Sequence, residues 1–304
     1  MRLSRLHGDT CFVISARFHY LHPRMESPGR IVTQLSLDVA IVRKLLVEFI
    51  RDHVRNAGFT NGIVGVSGGV DSAVVVALTA EALGRENVLG VVLPYRTSDP
   101  KSAEDAIGLL GELGVRAETV DISTMVDAYL GLKNNMDNIR KGNVMARQRM
   151  IVLYDLSAQE KGLVIGTSNK TEFLLGYGTQ FGDMACAINP LGDLYKTQVW
   201  QLAGAIGIPG KIIEKKPSAD LWEGQTDEGE LGFAYKQVDQ LLYYLVDERR
   251  TDEELVERGF DARFIDRVKG MIRRNQFKRR PPIIAKISHR TVNVDFRYAR
   301  DWGI

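Results

Sequence analysis

The sequence predicts an α/β fold: a doubly wound, parallel, five-stranded sheet with a helical C-terminal annex. Short, nearly continuous apolar strands alternate with amphipathic helical segments through the first half of the chain. That alternation is typical of a parallel sheet buried on both faces. After residue 198 the apolar spacing is helical only. We expect residues 31–304 to form a single domain and residues 1–30, with irregular hydrophobicity and two prolines, to be an N-terminal extension.

The first helix is predicted at 37–54, where apolar residues such as Val39, Val42 and Leu46 recur at three- and four-residue spacing. The elements that follow are a strand at 63–66, a helix at 71–83, a strand at 88–93, a helix at 103–113, a strand at 116–120, a helix at 142–160 and a strand at 163–166. The annex is predicted as helices at 199–206, 235–246, 252–256 and 262–273. Ligands bind at the carboxyl ends of parallel strands, so the loops after Val66, Leu93, Val120 and Ile165 should share one cleft.

The composition is that of an ordinary soluble globular protein, with 304 residues, 44% hydrophobic and 26% charged. A formal net charge of +2 argues against generic binding to nucleic acid or to a membrane surface. Cys11 and Cys186 can build neither a disulfide framework nor a four-thiolate zinc site. No apolar run is long enough for a membrane span, and the N-terminus lacks a signal-peptide pattern. A cytoplasmic location is therefore expected.

A phosphate-binding loop is predicted where the first strand gives way to a helix. Its residues are Gly65, Val66, Ser67, Gly68, Gly69, Val70, Asp71 and Ser72. Glycines let backbone N–H groups converge on an anion, and the following helix N-terminus adds partial positive charge. The loop lacks the Gly-Lys-Ser/Thr ending of a Walker loop, and it does not read Gly-x-Gly-x-x-Gly. Asp71 suits a metal ion that accompanies the phosphates.

Residues 67–72 match the pyrophosphate loop of ATP pyrophosphatases, and further segments extend the resemblance. These are KGNVMARQRM at 141–150, GTSNKTE at 166–172, GD at 182–183, PLGDLYKTQ at 190–198 and KPSADL at 216–221. Together they resemble NAD synthetases of the ammonia-dependent type, from about residue 36 to 302. The resemblance implies an adenine nucleotide α-hydrolase-like, Rossmann-like fold and a homodimer. It also implies ATP-dependent amidation of deamido-NAD by ammonia through an acyl-adenylate.

The same resemblance implies a set of ATP and metal contacts. Residues 65–72 would hold the phosphates, and Thr167, Lys196 and Ser218 would be further ATP contacts, with Ser218 where a threonine is common. The carboxylates of Asp71 and Glu172 would ligate Mg²⁺, which prefers hard oxygen ligands. Independently of any ligand, Thr167 could also be the N-cap of the helix that follows it.

The residues implied for deamido-NAD are Arg147, Gln180, Ala187, Phe277 and Lys278. Three of them depart from the family pattern, since lysine is frequent at Gln180, aspartate at Ala187 and histidine at Phe277. Arg149 should project from a different face of the helix that carries Arg147, and only one of the two arginines need be functional. The C-terminal contact at residues 277–278 is often reached from the partner subunit.

Ammonia is the expected nitrogen donor. The GDMA segment at 182–185 resembles the synthetase half of glutamine-dependent NAD synthetases, but neither cysteine stands in a glutaminase context. We therefore hypothesise direct use of free ammonia, with a separate glutaminase as a possible supplier in the cell. Cys186 is interpreted as a packing residue and not as a nucleophile.

Two other classes of function share the phosphate loop. The first is another ATP pyrophosphatase, such as GMP synthetase, asparagine or argininosuccinate synthetase, or a tRNA-thiolating enzyme. The second is a nucleotide-sensing module without turnover, as in universal-stress-type proteins. Asp71, Glu172 and Lys196 argue against a sensor, because a sensor does not need a second metal carboxylate.

Overall fold

The computed structural model describes residues 35–222 and 224–292, so the predicted extension at 1–30 and Cys11 lie outside the described residues. The sheet has four strands there: β1 (Asn61–Gly65), β2 (Val88–Val92), β3 (Arg116–Thr119) and β4 (Gly162–Val164). Their order is β3-β2-β1-β4 and every pairing is parallel, with Ile63 opposite Leu89 on one side and Val164 on the other. The four strands located in the sequence are thus confirmed.

The predicted fifth strand is reduced, in the described chain, to one isolated parallel bridge between Ile165 and Ile188 beyond β4. The Ala187 N–H donates to the Val164 carbonyl at 2.9 Å, and the Gly166 N–H donates to the Ile188 carbonyl at 2.8 Å. Pro190 follows shortly, and proline has no N–H to contribute to a ladder. The pairing therefore stops after a single bridge.

Helices cover both faces of the sheet. The first five are α1 (Val39–Asn56), α2 (Val70–Leu83), α3 (Pro100–Leu113), α4 (Ser123–Leu130) and α5 (Asn138–Gln159). Successive strand residues point to opposite faces. Val64 accordingly packs in a core with α1, α2 and α3, whereas Ile63 packs in a core with α4 and α5. The doubly wound arrangement is confirmed, although β3 is an edge strand with mostly exposed residues and not a buried apolar run.

The annex has an apolar core of its own. Its elements are α6 (Lys170–Leu175), α7 (Lys196–Ala205), α8 (Gly210–Ile213), α9 (Asp227–Leu231), α10 (Tyr235–Leu242), α11 (Asp252–Glu257) and α12 (Ala262–Arg274). Leu175, Leu231, Val238, Leu255 and Val268 pack together there. Helices α7 and α8 pack instead on the sheet core, through residues such as Leu202 and Ile212, and α7 joins the two parts because it contacts both α2 and α10.

The predicted helices are confirmed, including the short one at 252–256, which is α11. The sequence did not reveal α4, α6, α8 or α9, which have eight, six, four and five residues. Over such lengths an apolar period of 3.6 residues gives only a weak signal. The helix predicted at 235–246 ends at Leu242 and continues as a π-helical turn, Tyr243–Asp247. Within the described ranges, none of the helices has the length and apolar character needed to cross a membrane.

Candidate active site

A large cavity of about 1310 Å³, here called the cleft, opens at the carboxyl ends of the strands. Its walls are the loops after β1, β2 and β4 together with annex residues between 215 and 230. The loop after β3 does not line it, contrary to expectation, because β3 is the edge strand farthest from β4. Small-molecule sites usually have volumes of about 300–1,000 Å³. The cleft therefore has room for more than one small ligand.

The predicted phosphate loop, residues 65–72, connects β1 to α2 and lines the cleft except at Gly68. Gly68 has φ +75°, and a Cβ there would come within 2.2 Å of the Ser102 carbonyl oxygen. The Ser67 N–H donates to Ser72 Oγ at 3.1 Å, and that hydroxyl donates to the Gly69 carbonyl at 3.0 Å. The loop is thus closed on itself above the N-terminus of α2, where an anion is stabilised.

Lys196 joins the two predicted metal carboxylates. It is the first residue of α7, only 2% exposed, and its Nζ contacts Asp71 Oδ2 and lies 3.7 Å from Glu172 Oε1. Asp71 comes from the first turn of α2 and Glu172 from the first turn of α6. Three residues that are distant in sequence therefore meet in one cluster, as the sequence predicts for a shared site.

The cluster carries one carboxylate more than its ammonium can neutralise. Burial, and then the Asp71 carboxylate, raise the pKa of Glu172 to about 8, while Lys196 opposes the shift. Burial alone would lower the pKa of Lys196, but Asp71 and Glu172 outweigh it and raise that pKa. No group of three or more metal-ligating side chains occurs in the described part of the chain. A cation held by Asp71 and Glu172 would need further oxygens from a bound phosphate.

Asn169 fixes the direction of both carboxylates and was not singled out in the sequence. Its Nδ2 donates to Asp71 Oδ1 at 2.9 Å, and its Oδ1 accepts the Glu172 N–H at 3.0 Å. Its own N–H donates to Glu172 Oε2 at 3.1 Å, which completes a capping box on α6. Asn169 is therefore the N-cap, and the alternative interpretation of Thr167 as the cap is wrong. Thr167 lines the cleft, half-buried.

The buried Tyr235 and the half-buried Tyr177 hold Asp227 at the annex wall of the cleft. Tyr235 and Tyr177 each donate a hydroxyl hydrogen bond of 3.0 Å to the Asp227 carboxylate. Tyr177 also contacts Glu230 at 2.7 Å, and the Tyr235 ring lies with its centroid 5.3 Å from Lys196 Nζ. Burial raises the pKa of both tyrosines, and the nearby carboxylates raise it further. Both hydroxyls are therefore protonated donors.

Ser218 lies at the mouth of the cleft, where two loops are joined. It is exposed, lines the cleft, and its Oγ accepts the Asp220 N–H at 3.1 Å. The Asp220 carboxylate accepts the Asp99 N–H at the start of α3, at 3.1 and 3.2 Å. Lys215 Nζ donates to Ser102 Oγ at 2.8 Å. The annex segment is thus tied to the sheet side of the mouth.

The two arginines of α5 face different sides, as predicted. Arg149 lines the cleft, and its Nε donates to the Leu93 carbonyl at 3.0 Å. Burial lowers the pKa of the Arg149 guanidinium, while the carboxylates of Asp220 and Asp183 oppose the shift. Arg147 is exposed outside the cleft and donates to the Gln180 carbonyl at 3.3 Å. By position, Arg149 is the arginine that a ligand in the cleft would meet.

Two of the other residues assigned to deamido-NAD, Gln180 and Lys278, line a smaller cavity of about 270 Å³. Lys278 also lines the cleft, and its Nζ donates to the Gly176 and Gly178 carbonyls at 2.8 and 2.9 Å. Phe277 is 60% exposed beside it. Ala187 lines neither cavity, and its N–H belongs to the pairing with Val164. Of the five residues assigned to deamido-NAD, Lys278 alone lines both cavities.

Sequence reasoning missed several polar residues that build the site: Asn169, Tyr177, Asp227, Tyr235 and Asp239. A signal existed for two of them, because Tyr235 and Asp239 are four residues apart and share a face of α10. Both are buried, at 1% and 0% exposure. A carboxylate on the buried face of an amphipathic helix indicates a polar partner in the interior.

Comparison with known proteins agrees with this arrangement. A family model described as NAD synthase matches residues 42–282. The NH(3)-dependent NAD(+) synthetase of Chlorobaculum parvum is 53% identical over 268 residues, which are 88% of this chain and 97% of that protein. Among solved structures, the NH3-dependent NAD synthetase of Campylobacter jejuni has a TM-score of 0.72 and 35% identity, covering 83% of this chain and all of that one. NMN synthetase from Francisella tularensis has a TM-score of 0.74 and 31% identity at the same coverage. The chain therefore belongs to the NAD synthase family.

Proposed function

We propose that this chain converts deamido-NAD, ATP and ammonia to NAD, AMP and pyrophosphate. The observation that carries the proposal is the meeting of the phosphate loop, Lys196 and the Asp71–Glu172 carboxylate pair on one cleft. The names of the similar proteins from Chlorobaculum parvum and Campylobacter jejuni support the choice of product and of ammonia.

The first step activates a carboxylate that is otherwise a poor acyl donor. An oxygen of the nicotinate carboxylate attacks the α-phosphorus of ATP. The bond between that phosphorus and the oxygen bridging the α- and β-phosphates breaks, and pyrophosphate leaves with the electron pair. Backbone N–H groups of residues 65–72 would hold the phosphates, and Lys196 would offset the negative charge that develops. Such reactions depend mainly on positioning and electrostatic stabilisation.

The charge of the cluster supports a divalent cation, and we assign Mg²⁺ to Asp71 and Glu172. The pair presents hard oxygens, and the raised pKa of Glu172 indicates that Lys196 alone does not compensate a second carboxylate charge, so a cation there would replace the proton. When bound, the ion supplies charge neutralisation at the ATP phosphates. Asn169 would keep the two carboxylates oriented toward it, as outer hydrogen bonds do at metal sites.

In the second step, ammonia attacks the acyl carbon of the adenylate. The new carbon–nitrogen bond forms, the bond to the AMP oxygen breaks, and the nitrogen loses a proton to give the amide. The nitrogen donor is tested by assaying the purified chain with ammonium alone and with glutamine alone. We expect NAD from ammonium only, and equal turnover on glutamine would contradict direct use of ammonia.

The residues outside the cleft support a homodimer in which a second copy completes the dinucleotide site. On α5 the exposed side chains of Ile151 and Tyr154, which do not line the cleft, share a helix face with Arg147. Ile151 and Tyr154 are 51% and 41% exposed. A second copy seated on this stripe would cover it and bring Arg147, Gln180 and Phe277 toward a ligand. Light scattering on the wild type and on Ile151→Glu tests this, and a monomeric wild type would contradict it.

The reaction itself is tested by measuring pyrophosphate, AMP and NAD with and without deamido-NAD. Equimolar formation of all three, dependent on deamido-NAD and on ammonium, is the expected result. A parallel assay replaces deamido-NAD with the mononucleotide of nicotinic acid, and preference for that acceptor would reassign the substrate. ATP binding without acceptor-dependent pyrophosphate release would instead favour a nucleotide sensor.

A further inference from the structure

The start of α7 depends on groups from two other helices. The first residues of a helix have N–H groups without a partner in the helix itself. In α7 the Lys196 N–H donates to Thr171 Oγ1 at 3.1 Å, and the Thr197 N–H donates to Asp239 Oδ2 at 2.8 Å. Helix α6 supplies the threonine and α10 supplies the aspartate. The position of Lys196 is therefore set from outside its own helix.

Asp239 and Thr171 form a buried pair behind the Lys196–Glu172 contact. Thr171 Oγ1 donates to Asp239 Oδ1 at 2.6 Å, and both residues are fully buried. Each Asp239 oxygen thus accepts a hydrogen bond; burial raises the pKa of this carboxyl, whereas the hydrogen bonds from Thr171 and Thr197 and the charge of Lys196 favour its ionised form. Thr171 directly precedes Glu172 in α6. The Asp239 carboxylate accordingly fixes the relative position of α6 and α7, whose first turns carry Glu172 and Lys196.

We propose that Asp239 is a positioning residue for adenylation, acting through Thr171 and the N-terminus of α7 on Glu172 and Lys196. This inference rests on the proposed function. A negative charge at a helix N-terminus also favours the helix, so Asp239 stabilises the first turn of α7. Loss of the pair would leave Lys196 in the same fold but displaced relative to Glu172, and small misplacements of reacting groups slow catalysis strongly.

The test compares Asp239→Asn, Thr171→Val and Thr171→Ser in the full chain. Asp239→Asn keeps the size and removes the charge. Thr171→Val keeps the shape and removes the hydroxyl, whereas Thr171→Ser restores the hydroxyl. Thr79→Val is the matched control, because the buried Thr79 hydroxyl donates only within its own helix, to the Val75 carbonyl at 2.7 Å.

The measured quantity is the single-turnover rate of pyrophosphate release with ATP and deamido-NAD, per active site. We expect Asp239→Asn and Thr171→Val to lower this rate about 10- to 100-fold, with the KM for deamido-NAD within about twofold. Thr171→Ser should keep the rate within about threefold, and Thr79→Val should change only thermal stability. Wild-type rates per active site in both Asp239→Asn and Thr171→Val would overturn the inference.

Two further readouts separate failure of this inference from failure of the proposed function. If Asp239→Asn does not fold, the Thr171→Val and Thr171→Ser pair decides, since rescue by serine is not expected of a purely steric role. If the wild type does not adenylate deamido-NAD, the proposed function fails. Calorimetric ATP affinity then tests the positioning role, with about tenfold weaker binding expected for Thr171→Val. Unchanged ATP affinity in that variant would contradict it.

Discussion

The cleft has two walls that are built in different ways. The sheet wall, residues 65–72, is held by backbone geometry, with Gly68 against the Ser102 carbonyl and Ser72 closing the loop. The annex wall, formed by Tyr177 and residues between 215 and 230, is held by hydrogen bonds between side chains, including one from Tyr235 of α10 to Asp227. The shape of the sheet wall is therefore sensitive to an added Cβ at Gly68, whereas the shape of the annex wall depends on single polar side-chain atoms.

The largest effect is expected on the sheet wall at Asp71. Asp71→Ala removes the partner of Lys196 and one of the two carboxylates, so adenylation should fall by about 10³-fold or more. The Asp71 side chain faces the cleft and not the apolar core, so the fold should persist. Pyrophosphate release and circular dichroism measure the two quantities, with the exposed Asp266→Ala as control. Retained turnover would refute the role given to this carboxylate.

A backbone test of the same wall compares Gly68→Ala with Gly108→Ala. Gly68 has φ +75° and no room for a Cβ, so we expect a loss of about 1–3 kcal/mol in unfolding free energy and weaker ATP binding. Gly108 lies inside α3 with nothing within 4 Å of an added Cβ. There, alanine should stabilise by about 0.5–1 kcal/mol. Urea unfolding and ATP titration measure the unfolding free energy and the ATP affinity of both variants. Equal effects of Gly68→Ala and Gly108→Ala would contradict the prediction that only Gly68 lacks room for a Cβ.

On the annex side, carbonyls at the end of α6 are held by residues 275–279. Asn275 Nδ2 donates to the Leu175 carbonyl at 2.8 Å, next to the carbonyls that Lys278 holds. Asn275→Ala should cost about 1–3 kcal/mol in unfolding free energy and raise the KM for deamido-NAD. The matched variant is Asn87→Ala, whose side chain donates to the Leu83 carbonyl at 2.8 Å at the end of α2. Asn87→Ala should lower the unfolding free energy without changing the KM for deamido-NAD.

The smallest effect is expected for Tyr177→Phe, which removes a hydroxyl shared by Asp227 and Glu230. We expect a loss of about 1 kcal/mol in unfolding free energy and a modest rise in the KM for ATP. Tyr95→Phe is the counterpart near the sheet wall, where the hydroxyl contacts Asp127 at 2.8 Å. A larger effect of Tyr95→Phe on the KM for ATP would mean that the annex wall is not the more sensitive one.

The sheet wall could be predicted from the sequence because the order of residue types at 65–72 is rarely found outside phosphate-binding loops. Small residues between a β-branched strand and an apolar helix specify the loop locally. The annex wall could not be predicted in this way, because Asp227, Tyr235 and Asp239 acquire their meaning only from partners on other elements. The predicted fifth strand failed for a different, local reason: in the described residues the pairing beyond β4 is limited to the bridge between Ile165 and Ile188, and Pro190 has no N–H to extend it.

The contact of Gly68 with Ser102 has a consequence for redesign of this enzyme. The backbone at Ser102 belongs to the first turn of α3, and the Asp99 N–H that begins this turn is held by Asp220 from the annex. Insertions or loop grafts at the mouth would therefore also shift the loop at residues 65–72. An engineer who wishes to broaden the range of acceptors should leave residues 99–102 unchanged and vary the surface around Gln180 instead.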